Sequence, residues 1–139
     1  MPENIVKKKL KYGKTVVGSF VITAHPAISE VMARAGFDWL VFDMEHGVIG
    51  IESIEVMTQA ISGTDTTPIV RVPWNDFVVI KQVLDTGVMG LIIPMVNNAE
   101  QAEMAVRATR YPPEGIRGIG PHRASGFGKW LDEYFEKSN

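Results

Sequence analysis

Four short apolar runs, each followed by a segment with helical spacing, constrain the fold of this chain more than any other feature. The runs cover residues 15–23, 39–43, 69–72 and 90–93. They are continuously apolar and rich in β-branched residues, which is typical of parallel strands with both sheet faces covered. Strands that alternate with helices predict an α/β fold built from repeated parallel β/α units.

Between and after these runs, apolar residues recur at intervals of three and four, as on the buried face of a helix. Asn75 is expected to cap the third helix, and Asn97 with Glu100 three residues later resembles a capping box for the fourth. The predicted helices cover residues 27–35, 51–61, 75–87 and 97–109, and the last two ranges include the predicted cap. A short amphipathic tail follows at residues 130–137.

Composition narrows the class of protein. The 139 residues suit one domain, with 45% hydrophobic and 22% charged residues, and the formal net charge of −2 comes without a basic block. Nucleic acid and anionic membranes are therefore not expected partners. No cysteine is present, so a metal would need oxygen or imidazole ligands. No apolar run reaches about 20 residues and the first residues are charged, so we expect a cytoplasmic protein.

Candidate functional residues stand at the ends of two adjacent predicted strands. Asp43, Glu45 and His46 follow the second strand, and Arg71 lies near the end of the third. Carboxyl ends of parallel strands carry the working residues of α/β folds. An acid, a base and a cation at neighbouring strand ends predict a site that handles an anion.

Each of these residues also has a structural interpretation. Asp43 is close enough in sequence to orient the His46 imidazole for proton transfer, although a surface loop with a satisfied histidine has the same spacing. Arg71 stands between apolar neighbours and needs an anionic partner, which is either a structural one such as Glu45 or a substrate carboxylate. Glu45 itself is either a supporting residue for substrate or a solvated carboxylate.

Two further segments are weaker candidates. His25, before a proline, could line the same mouth, but a turn histidine is the commoner explanation. The GIRGIG segment does not follow a strand as a dinucleotide-binding loop requires, so it predicts an ordered turn near the mouth. Arg117 or Arg123 of this turn could then meet substrate.

Four segments in this order and spacing resemble the HpcH/HpaI aldolase family, which includes 4-hydroxy-2-oxoheptanedioate and 2-keto-3-deoxy sugar-acid aldolases. The resemblance extends over roughly Val17 to Arg123. The segments that carry it are GFDWLVFDMEHG, PIVRVP, IKQVLDTGVMGLIIPMV and RYPPEGIRGIG.

The resemblance implies a (β/α)8 barrel that cleaves 2-keto-3-deoxy acids to pyruvate and an aldehyde, in oligomers built on swapped helices. Asp43 and His46 would be the acid/base dyad, working with a metal-bound water. Arg71 would bind the pyruvate carboxylate or enolate oxygen. Phe20 falls where family members often carry a tryptophan lining the pocket. Asp85 matches an aspartate thought to support the site across a subunit interface.

The resemblance also implies a divalent metal, Mg²⁺, Mn²⁺ or Co²⁺, whose glutamate and aspartate ligands lie on later strands without counterparts in these 139 residues. A barrel of this type takes about 250 residues. The chain is therefore expected to be the N-terminal half, with about four of eight β/α units. One edge strand and one apolar face would then need a second copy or a complementing chain.

Two other interpretations stay open. The motifs could belong to a non-catalytic half-barrel that needs a partner chain. The barrel could also be a CoA-ester lyase, although no basic loop suited to a CoA phosphate tail is evident in the sequence.

Overall fold

The computed structural model describes residues 2–139, and they form four strands and six helices. All strands are parallel and lie in the order β1-β2-β3-β4, which confirms the predicted α/β architecture. The elements in chain order are α1 Ile5–Lys11, β1 Gly18–Val21, α2 Pro26–Arg34, β2 Trp39–Asp43, α3 Ile51–Ala60, β3 Thr67–Arg71, α4 Phe77–Asp85, β4 Gly90–Ile92, α5 Ala99–Thr109 and α6 Leu131–Lys137.

Helices cover one face of the sheet, where the hydrophobic core lies. Strands in sequential order with right-handed crossovers return every connecting helix to the same side. Consecutive helices pack against each other there, α2 on α3, α3 on α4 and α4 on α5. The fully buried core side chains on this side include Leu40, Phe42, Ile54, Met57, Val70, Ile80 and Val83.

The opposite face of the sheet is only partly covered, so the expectation of two covered faces is wrong for this chain. Strand register places Phe20 beside Val41, and Ile92 beside Arg71, on this second face. Phe20 is 46% exposed and Ile92 is 37% exposed. Continuous apolar strands are equally typical of a barrel interior, where closure of the sheet itself covers the inner face. We call this surface the inner face.

One helix was absent from the sequence-based prediction. The segment Ile5–Lys11 carries four lysines, and this charge obscures the helical pattern of its apolar residues. Asn4 caps the helix by accepting a hydrogen bond from the Lys7 backbone amide at 2.9 Å. Lys9 forms an ion pair with Asp38, just before β2. The Asn4 side chain also donates to the Met89 carbonyl, just before β4. The helix therefore lies across the amino ends of the strands.

Two predicted helix caps are each displaced by one residue. Asp76, not Asn75, caps α4, and its carboxylate accepts from the Val79 amide at 2.9 Å. Asn98, not Asn97, caps α5 by accepting from the Gln101 amide at 2.9 Å. Neighbouring residues of similar capping ability make the position of a cap depend on the incoming chain direction.

Strand ends also differ from the prediction. β1 is four residues long instead of spanning 15–23, and β3 begins at Thr67 instead of Ile69. Within residues 2–139, no helix combines the length and the apolar character needed to cross a membrane.

Candidate active site

Asp43 and Arg71 lie side by side at the carboxyl ends of β2 and β3. The strand register makes them direct neighbours on the inner face. Arg71 donates from Nε to Asp43 Oδ1 at 2.9 Å and from Nη2 to Asp43 Oδ2 at 2.6 Å. This bidentate pair satisfies the charge that the sequence places between apolar neighbours. Within residues 2–139, the Arg71 Nη1 has no hydrogen-bond partner.

The Asp43 carboxylate also holds the loop that follows β2. Its side chain is almost fully buried, and Oδ1 accepts from the backbone amides of Glu45 at 3.0 Å and His46 at 3.3 Å. The Arg71 guanidinium holds the pKa of the Asp43 carboxyl below its usual range, although burial opposes this effect. Asp43 is therefore an ionised anchor at neutral pH, with both oxygens occupied.

Glu45 links the arginine to the histidine. Arg71 Nε lies 3.2 Å from Glu45 Oε2, and His46 Nε2 lies 3.7 Å from Glu45 Oε1. The prediction that the Asp43 carboxylate orients the imidazole is wrong in this structure, because the ion-pair partner of His46 is Glu45. Asp43 reaches the backbone of His46 instead, since the loop turns back over its carboxylate. The His46 side chain is 70% exposed and points into solvent-accessible space.

Gly47 allows the same loop to pass close to the end of β1. A Cβ atom at Gly47 would lie 2.3 Å from the Asp43 carbonyl oxygen and 3.1 Å from the Ile22 Cα and carbonyl oxygen. These neighbours are backbone atoms and cannot rotate away. The position of Glu45 and His46 therefore depends on the missing side chain at Gly47.

Gly47→Ala is expected to lower the free energy of unfolding by about 1–3 kcal/mol, because the new methyl group overpacks a backbone contact. Urea denaturation measures the effect. Gly120→Ala is the matched control, since a Cβ there meets nothing within 4 Å and its φ is not in the left-handed region. We expect that control to cost no more than about 0.5 kcal/mol. Equal stability of both variants would show that the loop is free to move.

The other candidate residues lie elsewhere or act locally. His25 Nδ1 accepts from the Ala27 amide at 3.2 Å and caps α2, in agreement with a turn histidine. Arg117 Nη2 donates to Asp85 Oδ1 at 2.7 Å, and Asp85 ends the helix before β4. Arg123 donates to the Thr86 carbonyl and the Ser62 hydroxyl.

The Gly-rich turn therefore lies near the amino ends of β3 and β4, and its predicted place at the mouth is wrong. Arg117 and Arg123 do not meet the cluster of Asp43 and Arg71. Asp85 is likewise apart from that cluster within one chain, and its role across a subunit interface stays a prediction. Sequence order could not settle this, because a loop after a helix can pass either end of a parallel sheet.

The described residues do not fit a complete metal site. Across residues 2–139, no group of three or more His, Asp or Glu side chains is arranged to hold a metal ion. Both Asp43 oxygens are engaged by Arg71 and by loop amides. The cluster is therefore not arranged to hold a metal ion by itself.

A comparison with protein families identifies the family of this chain. The model of the HpcH/HpaI aldolase/citrate lyase family matches residues 16–137. This chain belongs to that family. The match includes both strand ends that carry the cluster and the segment around Asp85.

Relatives of this HpcH/HpaI family member are named aldolases. A hydroxypyruvate/pyruvate aldolase of Roseobacter denitrificans is 45% identical over 135 residues, covering 96% of this chain and 52% of the relative. A 4-hydroxy-2-oxo-heptane-1,7-dioate aldolase of Escherichia coli is 44% identical and covers 99% of this chain and 53% of the relative. The chain spans about half the length of the curated relatives it matches.

A solved structure also matches this chain over about half of its own length. A HpcH/HpaI aldolase/citrate lyase family protein from Burkholderia cenocepacia superposes with a TM-score of 0.89 at 30% identity. The superposition covers 98% of this chain and 56% of that protein. The four β/α units therefore correspond to about half of a TIM-barrel neighbour.

Proposed function

We propose that this chain is the N-terminal half of a (β/α)8 barrel that cleaves a 4-hydroxy-2-keto acid to pyruvate and an aldehyde. The observation that supports this most is the arginine at the carboxyl end of β3. Asp43 fixes two donors of the Arg71 fork while Nη1 stays available. A fixed guanidinium with a free edge suits the planar carboxylate and keto oxygen of pyruvate.

The proposed reaction is an aldol cleavage. A base removes the proton of the C4 hydroxyl, the C3–C4 bond breaks, and its electron pair moves into the enolate of pyruvate. Protonation of the enolate at C3 then completes pyruvate. His46 is the exposed proton carrier beside the cluster, with its Nε2 3.7 Å from Glu45 Oε1. Asp43 acts indirectly, by holding Arg71 and the loop of His46.

A complete enzyme needs parts that lie outside these 139 residues. The divalent metal implied by the family resemblance lacks a ligand set within residues 2–139. We propose that the later strands of the barrel supply the metal ligands. The inner face and the free edges of β1 and β4 are the surfaces that those strands would cover.

A cleft lies where the next strand would be added. It has a volume of about 970 Å³ and runs beside Gly90 and Leu91 of β4, facing Phe127 and Trp130 of the C-terminal segment. Its lining carries no Asp or Glu among the described residues. Arg117 and Lys137 of the lining pair with Asp85 and Glu133. The lining also includes the cations Lys7, Arg110, Arg123 and Lys129. An extended segment with apolar and acidic side chains therefore suits this edge.

Arg71→Lys is expected to weaken pyruvate binding about 10- to 100-fold, because a point charge replaces a fork that makes charge-assisted hydrogen bonds. Pyruvate titration followed by NMR, on the barrel completed with the later strands, measures the affinity. Arg34→Lys is the control, since Arg34 is exposed on α2 and, within residues 2–139, its ion pair is with Glu30 on its own helix. Unchanged affinity in the Arg71 variant would reject the proposed role of this arginine.

A further inference from the structure

Two aromatic side chains connect β1 and β2 to the arginine of the cluster along the inner face. Gly18 pairs with Trp39, and a Cβ at Gly18 would lie 1.9 Å from the Trp39 indole. The indole therefore lies directly on the β1 backbone. Phe20 follows two residues later on the same face, with its ring edge-to-face against Trp39 at a centroid distance of 6.4 Å.

The Phe20 ring continues this contact to Arg71. The Arg71 Cζ lies 5.1 Å from the centre of the ring, within the range of a cation–π interaction. Asp43 holds the edge of the guanidinium through Nε and Nη2. The Cζ of Arg71 stands over the face of the Phe20 ring. The bidentate contact with Asp43 and this ring-face contact together restrict the guanidinium.

Packing in the core on the helix-covered face does not explain the position of Phe20. The side chain is 46% exposed on the inner face, whereas Phe42 of the neighbouring strand is fully buried on the helix-covered face. A large aromatic ring that is half exposed gains less from burial than one in the core. Its ring contacts include the Trp39 indole and the Arg71 guanidinium.

We propose that Phe20 is a positioning residue that holds the Arg71 guanidinium plane so that Nη1 faces the mouth. Trp39, seated over Gly18, supports the ring from behind. This inference rests on the proposed function in one respect, which is that the ligand of Arg71 is a keto acid. The geometric part concerns the arginine alone and is measurable in the isolated chain.

The test is NMR observation of the Arg71 Nε–H in the 139-residue chain and in its variants Phe20→Leu, Phe20→Trp and Phe135→Leu, all compared in the same oligomeric state by light scattering. Loss of the ring in Phe20→Leu removes the face contact, and we expect Arg71 Nε–H exchange with solvent to accelerate about 2- to 30-fold. Phe20→Trp keeps an aromatic ring at this position, so we expect the Arg71 Nε–H to exchange as slowly as in the wild type. Phe135→Leu, remote on α6 against Tyr111, is expected to leave Arg71 unchanged.

The proposal would be overturned if the Arg71 Nε–H exchanged as slowly in Phe20→Leu as in the wild type. It would also be overturned if exchange were fast in Phe20→Trp. If Phe20→Leu does not fold, Phe20→Trp still decides, because faster exchange with an aromatic ring present contradicts a face contact. Pyruvate titration of the completed barrel separates the two proposals. Altered exchange without any pyruvate binding to the wild-type barrel refutes the aldolase function and leaves the positioning role supported.

Discussion

The isolated 139-residue chain is expected to release no measurable pyruvate from a 4-hydroxy-2-keto acid in the presence of Mg²⁺, Mn²⁺ or Co²⁺. Cleavage leaves an enolate whose charge needs stronger stabilisation than one arginine supplies, and loss of a single such stabilising group typically costs 10² to 10³ in rate. Residues 2–139 offer no ligand set for a metal. Activity is expected to rise by at least about 10²-fold when the later strands are supplied.

The measurement is a coupled pyruvate assay of this chain, of the C-terminal half of the Roseobacter denitrificans relative, and of the two co-purified. We expect activity only in the mixture, and we expect a chelator to remove it. Robust, chelator-sensitive pyruvate release by this chain alone would contradict the prediction, because it would require a metal site among these residues. Cleavage of a CoA ester by the mixture, without cleavage of the keto acid, would favour the CoA-ester lyase.

The isolated chain is also expected to self-associate. The edge of β4 and the inner face offer unpaired strand groups and apolar surface, which together favour pairing between copies. Light scattering is expected to show a dimer or larger species, and Ile92→Lys is expected to reduce it by placing a charge on the exposed inner face. Val31→Lys, on the exposed side of α2, is the control. A monomeric wild-type chain would contradict the prediction that copies pair through the edge of β4 and the inner face.

His46→Ala is expected to lower turnover of the completed barrel about 10²- to 10⁴-fold, the usual loss for a positioned acid or base. The side chain is 70% exposed and its one ion pair within the described residues is with Glu45, so its removal is not expected to unfold the chain. Steady-state kinetics with matched circular dichroism measure both effects. The change is expected mainly in kcat, because the imidazole moves a proton and does not hold the keto acid.

His122→Ala supplies the control for the histidine prediction. His122 is exposed in the C-terminal segment, away from Asp43 and Arg71, and we expect its loss to leave turnover unchanged. A stable His46→Ala enzyme with unchanged turnover would mean that the histidine is idle. That outcome would favour the non-catalytic half-barrel over an aldolase.

Sequence patterns were most informative where a feature is local. The period of apolar residues placed the four strands and four of the helices, and β2 has the predicted bounds Trp39–Asp43. Helix α1 was missed because its lysines conceal it, and its stabilising partners, Asp38 and Met89, are distant in sequence. The caps of α4 and α5 were each displaced by one residue, since adjacent Asn and Asp residues compete for the same position.

For the candidate site, the sequence by itself determined which residue types stand at the carboxyl ends of β2 and β3, because strand length and chain direction are encoded locally. Parallel pairing then made Asp43 and Arg71 neighbours. Only the tertiary structure decided that Glu45 is the partner of His46, and that the GIRGIG turn lies at the far end of the sheet. It also decided that Phe20 lies over Arg71. Such partners depend on how side chains from separate segments share one surface, and no local periodicity carries that information.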